Sequence, residues 1–347
     1  MKGYVGLDVS LGTTAICVVG EQGEVLREGT AESSPGAVMA FLASTGVAAV
    51  RVGLEACPLS EWIYHGLSER GVPVVCIETR RLKAFLVSQI NKTDRNDARG
   101  IAQAVRVNLF QPVHMKSQAS RRDRALLSVR RLVITQHRQV ENHLRALFKT
   151  FGFKMGATNR KSFAVRAAQL RNEMPELGAV IDSLLRLREV LLDRLDVLDS
   201  SVREAAKSDP VCRLLMTAPG VGPVVSLTFK TAMDAPGRFR QSRVVGAYFG
   251  LTPRRYQSGE QDRSGHISKI GDGGARAALY EAANVLLRPR SKPSPLKAWG
   301  LALSRRRGRK RAVVAVARKL AAILHRMWMN GEAFRPMPAL ALEGTAS

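Results

Sequence analysis

Four carboxylates in the first third of the chain have the residue type and the positions to hold a metal ion. Asp8 lies inside the β-rich run GYVGLDV, where a charge on a half-buried strand needs a partner. Glu55 ends VRVGLE, at the carboxyl edge where α/β sheets place ligands. Asp94 and Asp97 lie in NKTDRNDARG. If 94–107 is a helix, their i, i+3 spacing puts both on one face of its first turn. A helix start also favours carboxylates, and for that pair alone capping is the simpler reading. Four carboxylates gathered at one edge are different, because they repel one another unless a cation sits among them. Mg²⁺ or Mn²⁺ suits such a set, since hard cations take oxygen ligands and keep waters and substrate phosphates in their shell. A pair of these ions about 4 Å apart can activate a nucleophile and stabilise a leaving oxygen in phosphodiester cleavage.

The elements around these residues predict how they meet. Residues 3–9, 14–19 and 24–30 read as three strands of an antiparallel meander, with a turn at Glu21–Gly23. The pattern then alternates: a helix at 36–45, a strand at 50–55, a helix at 59–70, a strand at 73–77, and helices near 80–88 and 94–107. This order predicts an α/β ribonuclease-H-like fold, a mixed sheet covered by helices, for residues 1–112. Residues 117–150 and 176–206 read as long helices. In the second, Ile181, Leu184, Leu191, Leu195, Leu198 and Val202 follow 3–4 spacing, broken at Arg188. That is a coiled-coil seam, so 113–206 is expected to be a helical linker through which copies associate. Residues 207–330 read as a mainly α-helical second domain and 331–347 as a loose tail.

Charge separates the same regions. The 347-residue chain has a net charge of +25. Residues 1–112 carry 11 basic and 11 acidic side chains, so the whole excess lies beyond them. Such an excess implies a polyanionic partner. Arg121, Arg122, Arg124, Arg130 and Arg131 crowd one helix, and Arg305, Arg306, Arg307, Arg309, Lys310 and Arg311 crowd another stretch. Phosphate contacts of this kind carry affinity without sequence information. With 5% aromatic residues, base stacking cannot be the main mode of binding. No apolar run approaches the roughly 20 residues of a membrane-spanning helix, and MKGYVGLDVS lacks the apolar core of a secretory signal. The four cysteines are scattered without CxxC spacing and read as buried thiols of a cytoplasmic protein.

The second region offers a nucleophile. The glycine turn of APGVGPVVS, at Gly220 and Gly222, reads either as a phosphate-binding turn or as a plain helix–helix turn. The stretch GLTPRRYQSGEQDRSGHISKIGDGGAR reads as a long loop containing Ser258, Ser264 and Ser268. Residue chemistry alone does not choose among these serines. Ser258 follows Arg254 and Arg255, which could hold a phosphate, and precedes Gly259, which permits close backbone approach.

Taken together, GLDVS, GLEA, NKTDRNDA, APGVGPVVS and FGLTPRRYQSGEQDRSGHISKIGDGGARAALYEAA resemble the DEDD-type insertion-sequence transposases, which behave as recombinases (the IS one-ten family). The resemblance spans nearly the whole chain, although Cys57-Pro58 stands where many relatives have a hydroxyl residue and a glycine. It implies a RuvC-like N-terminal domain with Asp8, Glu55, Asp94 and Asp97 as the metal cluster. It also implies a C-terminal domain whose nucleophilic serine is Ser258, which forms a covalent phosphoserine with DNA. Family members work as homo-oligomers, dimers or tetramers, with the halves of a working site drawn from different subunits. Some use a structured guide RNA from the element, so DNA and RNA are the expected partners, at the bacterial nucleoid.

Three rival readings make different predictions. A junction-resolving nuclease would use the same carboxylates with water and form no adduct. An actin-like or sugar-kinase ATPase would explain GLDVSLGTT but leaves the basic half without a purpose. A non-catalytic nucleic-acid binder would use the carboxylates only structurally.

Overall fold

The computed structural model describes residues 1–78, 93–259 and 261–335. The chain forms two compact units, Met1–Lys116 and Ser117–Ser347.

The first unit is built on one five-stranded sheet. Strands β1 (Lys2–Val9), β2 (Thr13–Val19) and β3 (Val25–Glu32) form an antiparallel meander. β4 (Ala48–Glu55) joins β1 in parallel, and β5 (Val74–Ile77) joins β4 in parallel. The spatial order β3-β2-β1-β4-β5 is that of a ribonuclease-H-like sheet, as the element order predicts. Helices α1 (Pro35–Ser44) and α2 (Ser60–Ser68) cover one face, where Val38, Ile63 and Leu67 pack on Val5, Leu7, Val52 and Leu54. Helix α3 (Asp94–Arg106) covers the other face, burying Ala98, Ile101, Ala102 and Val105 against Ala15, Cys17, Val19 and Ile77. The helix expected near 80–88 lies outside the described residues.

α3 approaches the sheet too closely for side chains. A Cβ at Gly6 would stand 2.0 Å from the Ala98 carbonyl oxygen and 2.4 Å from the Ala102 nitrogen. At Gly53 it would stand 2.6 Å from Val105 Cγ1. Backbone atoms cannot yield as a flexible side chain can, so Gly6 fixes the distance between helix and sheet. The helix is also held sideways. Glu28 on β3 accepts from Arg95 Nε at 2.6 Å and from Arg99 Nη2 at 2.9 Å. Burial pushes the Glu28 carboxyl up, but the bonds from Arg95 and Arg99 outweigh it and leave it below the usual glutamate value.

The second unit opens with α4 (Gln118–Thr150), α5 (Arg160–Asn172) and α6 (Gly178–Ser208). The apolar seam of α6 does not wait for a second copy. Ile181 and Leu191 share a core with Val140, Leu144 and Phe148 of α4 and with Phe163 and Leu170 of α5. Helices of the same chain thus cover this seam. Arg188, the break in the seam, is 2% exposed. Its guanidinium donates to Glu141 Oε1 at 2.8 Å and to the Arg160 carbonyl at 2.8 Å, and it lies 4.7 Å from the Phe163 ring centre. A second apolar line on α6, Val180, Leu187, Val190 and Val197, stays exposed.

The expected boundary at 206/207 is not a break in packing. Val202 and Ala206 of α6 share a core with Leu126 and Leu127 of α4, with Cys212 of α7 (Pro210–Leu215), and with Leu227 of α8 (Pro223–Met233). Beyond these come the single turn α9 (Val245–Tyr248), the hairpin β6 (Pro253–Ser258) and β7 (Gln261–Ile267), then α10 (Gly273–Leu286), α11 (Pro295–Arg307) and α12 (Arg309–Asn330). Phe229, Phe249, Leu279, Val316 and Leu320 centre this last core. The stretch expected as a loop is thus largely an antiparallel ribbon. Its strands bury no face, so they lack the apolar alternation by which a strand is read from sequence.

Two stability experiments follow. Glu28→Gln lowers the melting temperature at neutral pH. Because the folded Glu28 carboxyl is depressed, its contribution is present above the ordinary glutamate range and fades as pH falls through the lower folded value. The gap between variant and native melting curves therefore closes in acid, and a gap independent of pH would contradict this. Arg188→Ala leaves Glu141 without its partner and removes the packing on Phe163. It costs about 3 kcal/mol, read by urea unfolding of the full chain.

Candidate functional site

Strand register brings the first two carboxylates together. In the parallel β1–β4 pair, Gly6 faces Gly53 and Leu7 faces Leu54, so Asp8 and Glu55 follow side by side on neighbouring strands. Alternation along each strand puts Asp8 on the side of Gly6, and Glu55 on the side of Gly53. Both glycines face α3, as their close contacts with Ala98, Ile101 and Val105 require. Along β4, Arg51 donates to the Val105 carbonyl near the end of α3, and Gly53 meets Ile101 and Val105. The helix therefore runs opposite to the strand, and its first turn lies towards the edge where Asp8 and Glu55 stand. That turn carries Asp94 and Asp97. The backbone thus directs all four residues to one face and one end of the sheet.

The helix start removes a competing role for two of them. Thr93 is the N-cap, and its hydroxyl accepts from the Asn96 N–H at 3.2 Å. Asp94 is exposed, while Asp97, Asp8 and Glu55 are half-buried. The donor set is all oxygen, which fits Mg²⁺ or Mn²⁺ in kind. Among the described residues, however, no three His, Cys, Asp or Glu side chains converge closely enough to hold an ion. Burial pushes Cys17 and Cys212 up to about 12 and Cys76 to about 11, so all three stay protonated at neutral pH.

Ser258 is the last residue of β6, exposed at the tip of the ribbon before Gly259 turns the chain at φ +55°. The base of the ribbon is pinned. Ser268 N–H donates to the Thr252 carbonyl at 2.8 Å, and Arg276 reaches the Phe249 and Ile270 carbonyls at 3.1 and 3.2 Å. Asp272 caps α10 and accepts from Arg124 of α4 at 2.6 Å. Arg124 is therefore a structural tie, not a free phosphate ligand, and Arg130 is likewise held by Asp199 at 2.5 Å.

The two arginines expected to serve Ser258 are otherwise engaged. Arg255 forms a two-pronged pair with Asp262, at 2.8 and 2.5 Å. Arg254 donates to the Ser268 carbonyl at 3.3 Å. Register separates the candidate serines: Ser258 faces Gln261, whereas Ser264 faces Arg255 on the other side of the ribbon. Ser268 lies past the end of β7, and its Oγ accepts from the Ile270 N–H at 3.5 Å.

Other basic residues differ in exposure. Arg122 is exposed near the start of α4, and Arg121 is half-buried beside it. Arg305, Arg306 and Arg307 end α11, while Arg309, Lys310 and Arg311 begin α12; all six are exposed. None of the six has an ion pair among the described residues. Three of them sit in the first turn of a helix with no acidic residue there, where the helix dipole disfavours cations. Sequence reasoning found these clusters but missed the Glu28 clamp and the ribbon. Glu28 could have been found as an acidic residue on β3 opposite a helix start rich in arginine.

Comparison with known proteins finds transposases. A family model described as Transposase, of the DEDD IS110 type, matches residues 5–152. The Transposase IS116/IS110/IS902 family model matches residues 212–297. The transposase for insertion sequence element IS1111A of Coxiella burnetii is 28% identical over 95% of this chain and 91% of its own length. A probable family 20 transposase of Pseudomonas aeruginosa is 27% identical over 82% of this chain and 86% of its own. Among solved structures, T. thermophilus RuvC in complex with a Holliday junction substrate aligns at 15% identity over 33% of this chain and 100% of its own, with a TM-score of 0.26. With a family match in each of its two units and a relative along almost its whole length, the chain belongs to the IS116/IS110/IS902 family of transposases, of the DEDD type.

Proposed function

We propose that this transposase cuts and rejoins DNA strands with a divalent-metal site at Asp8, Glu55, Asp94 and Asp97 and a serine nucleophile at Ser258. The observation that carries the reading is the β1–β4 register, which sets Asp8 beside Glu55 at the edge towards which α3 presents Asp94 and Asp97. Mg²⁺ or Mn²⁺ held there would polarise a phosphodiester and stabilise its leaving oxygen. The four carboxylates have to be drawn together as metal binds, since no close triad exists among the described residues without it. Thr93 already caps α3, so neither aspartate is needed for that purpose.

Ser258 attacks the phosphodiester and holds one strand end as a phosphoserine, and the reverse step joins that end to a new partner. Its exposed position at the ribbon tip supports this role, because a duplex backbone can reach it without the protein opening.

Nucleic acid is held mainly through phosphates. Arg121, Arg122, Arg305, Arg306, Arg307, Arg309 and Lys310 are the contacts we assign, with Arg254 and Arg255 shaping the ribbon. An unpaired cationic corner at the start of α12 is costly without a polyanion and favourable with one. A surface that reads phosphates leaves sequence choice to another agent, and an element-encoded guide RNA is that agent. The exposed line of Val180, Leu187, Val190 and Val197 on α6 supports assembly of like copies. No helix among the described residues is long and apolar enough to cross a membrane. Action at the bacterial nucleoid is consistent with such a protein.

Two experiments test this reading. Native protein, element-end DNA and Mg²⁺ give a covalent protein–DNA adduct. Ser258→Ala gives none, and Asp8→Asn or Asp97→Asn cuts about 1,000-fold more slowly while melting like the native protein. An adduct that persists in Ser258→Ala would restore the water-using nuclease or another serine. Separately, ribonuclease treatment of the purified complex abolishes recombination, and adding back the element's transcript restores it. Undiminished recombination after digestion removes the guide RNA.

A further inference from the structure

The ribbon that carries Ser258 has two unlike faces. In an antiparallel pair, directly opposed residues share a face and alternate residues share it along each strand. The register Tyr256↔Arg263 and Ser258↔Gln261 therefore puts Tyr256, Ser258, Gln261 and Arg263 on one face. Arg255, Gln257, Asp262 and Ser264 share the other. The Arg255–Asp262 pair confirms the division, since its two members meet diagonally on that second face. Charge there cancels within the ribbon. On the face of Ser258, Arg254 stands at the base of the ribbon and donates to the Ser268 carbonyl at 3.3 Å, whereas Arg263, next to the tip, has no ion pair or hydrogen bond among the described residues.

Ser258 is exposed among the described residues. The Tyr256 ring leans towards the base of the ribbon, where a Cβ at Gly265 would stand 3.0 Å from its Cε2 atom. Gly265 accommodates the ring and keeps it off the tip. Arg263 sits diagonally from Ser258, about 7 Å away between backbones, which is within reach of a long side chain. A phosphate resting on the Ser258 hydroxyl is within the compass of the Arg263 fork.

We propose that Arg263, rather than Arg254 or Arg255, is the catalytic arginine that binds the scissile phosphate and stabilises its transition state. This rests on the reading of Ser258 as nucleophile. In the step concerned, a bond forms between Ser258 Oγ and phosphorus as the bond from phosphorus to one deoxyribose oxygen breaks. The serine gives up its hydroxyl proton to the medium and the leaving sugar oxygen takes one up. One phosphodiester is exchanged for another, with no oxidant or water consumed. Between the two, the five-coordinate phosphorus carries additional negative charge on its equatorial oxygens. A guanidinium fork matches two such oxygens at once.

The test uses the full chain with the element's RNA and two end duplexes. One has a natural diester at the scissile position and the other an uncharged methylphosphonate. Arg263→Ala is expected to slow adduct formation about 100-fold on the diester, while binding the duplex within about threefold of the native protein. On the methylphosphonate, which carries less charge to stabilise, variant and native protein are expected to react within about threefold of each other. Native rates for Arg263→Ala on the diester overturn the proposal. So does an equal loss on both duplexes, which makes Arg263 a structural residue of the ribbon. Ser258→Ala, run alongside, separates the two levels: an adduct in that variant overturns the nucleophile itself. A native adduct that needs Ser258 but not Arg263 overturns only the present inference.

Discussion

The first unit depends on how closely one helix can lie on its sheet. Gly6 has no side chain, and the backbone of α3 occupies the place where one would be. Every other feature of that edge inherits this distance. It sets which turn of α3 stands over which strand and so where Asp94 and Asp97 begin. The Glu28 clamp to Arg95 and Arg99 then fixes the helix against sliding across the sheet. A charged pair alone would hold a helix loosely, because exposed guanidinium groups contribute little. A close-packed backbone contact cannot be satisfied at any other height.

The fold of this unit was legible because short β-rich runs, separated by a turn and then by helical stretches, follow one another in a recognisable order. The strand end at Glu55 and the helix start at Asp94 match the expected ones. The second unit was less legible, for two different reasons. The α6 seam has the spacing of a coiled coil, but spacing does not say whose helix fills it. Here α4 and α5 do, and the buried Arg188 that breaks the repeat belongs to their polar contacts. The ribbon was hidden because a strand exposed on both faces carries no apolar signature. Its residues, PRRYQS, look like a loop to any rule based on burial.

The same structure sorts the arginines, which composition cannot. Arg124, Arg130, Arg188 and Arg255 are bound to Asp272, Asp199, Glu141 and Asp262 and hold the protein together. The run from Arg305 to Arg311 has no such partners among the described residues. An excess of positive charge is thus split between internal struts and a surface left unneutralised. Only the latter part contributes to salt-dependent binding, so the number of phosphates held is smaller than the charge of +25 suggests.

The bareness of the β6–β7 ribbon has a thermodynamic consequence. Two strands that bury nothing are held by their main-chain bonds and by anchors at the base, and an isolated hairpin is marginally stable in water. Its amides will exchange with solvent through local opening at a small fraction of the free energy needed to unfold the core beneath it. A segment of this kind is ordered fully by what it grips. Part of the binding energy of a nucleic acid will go into stiffening the ribbon, and the affinity seen will understate the contacts made.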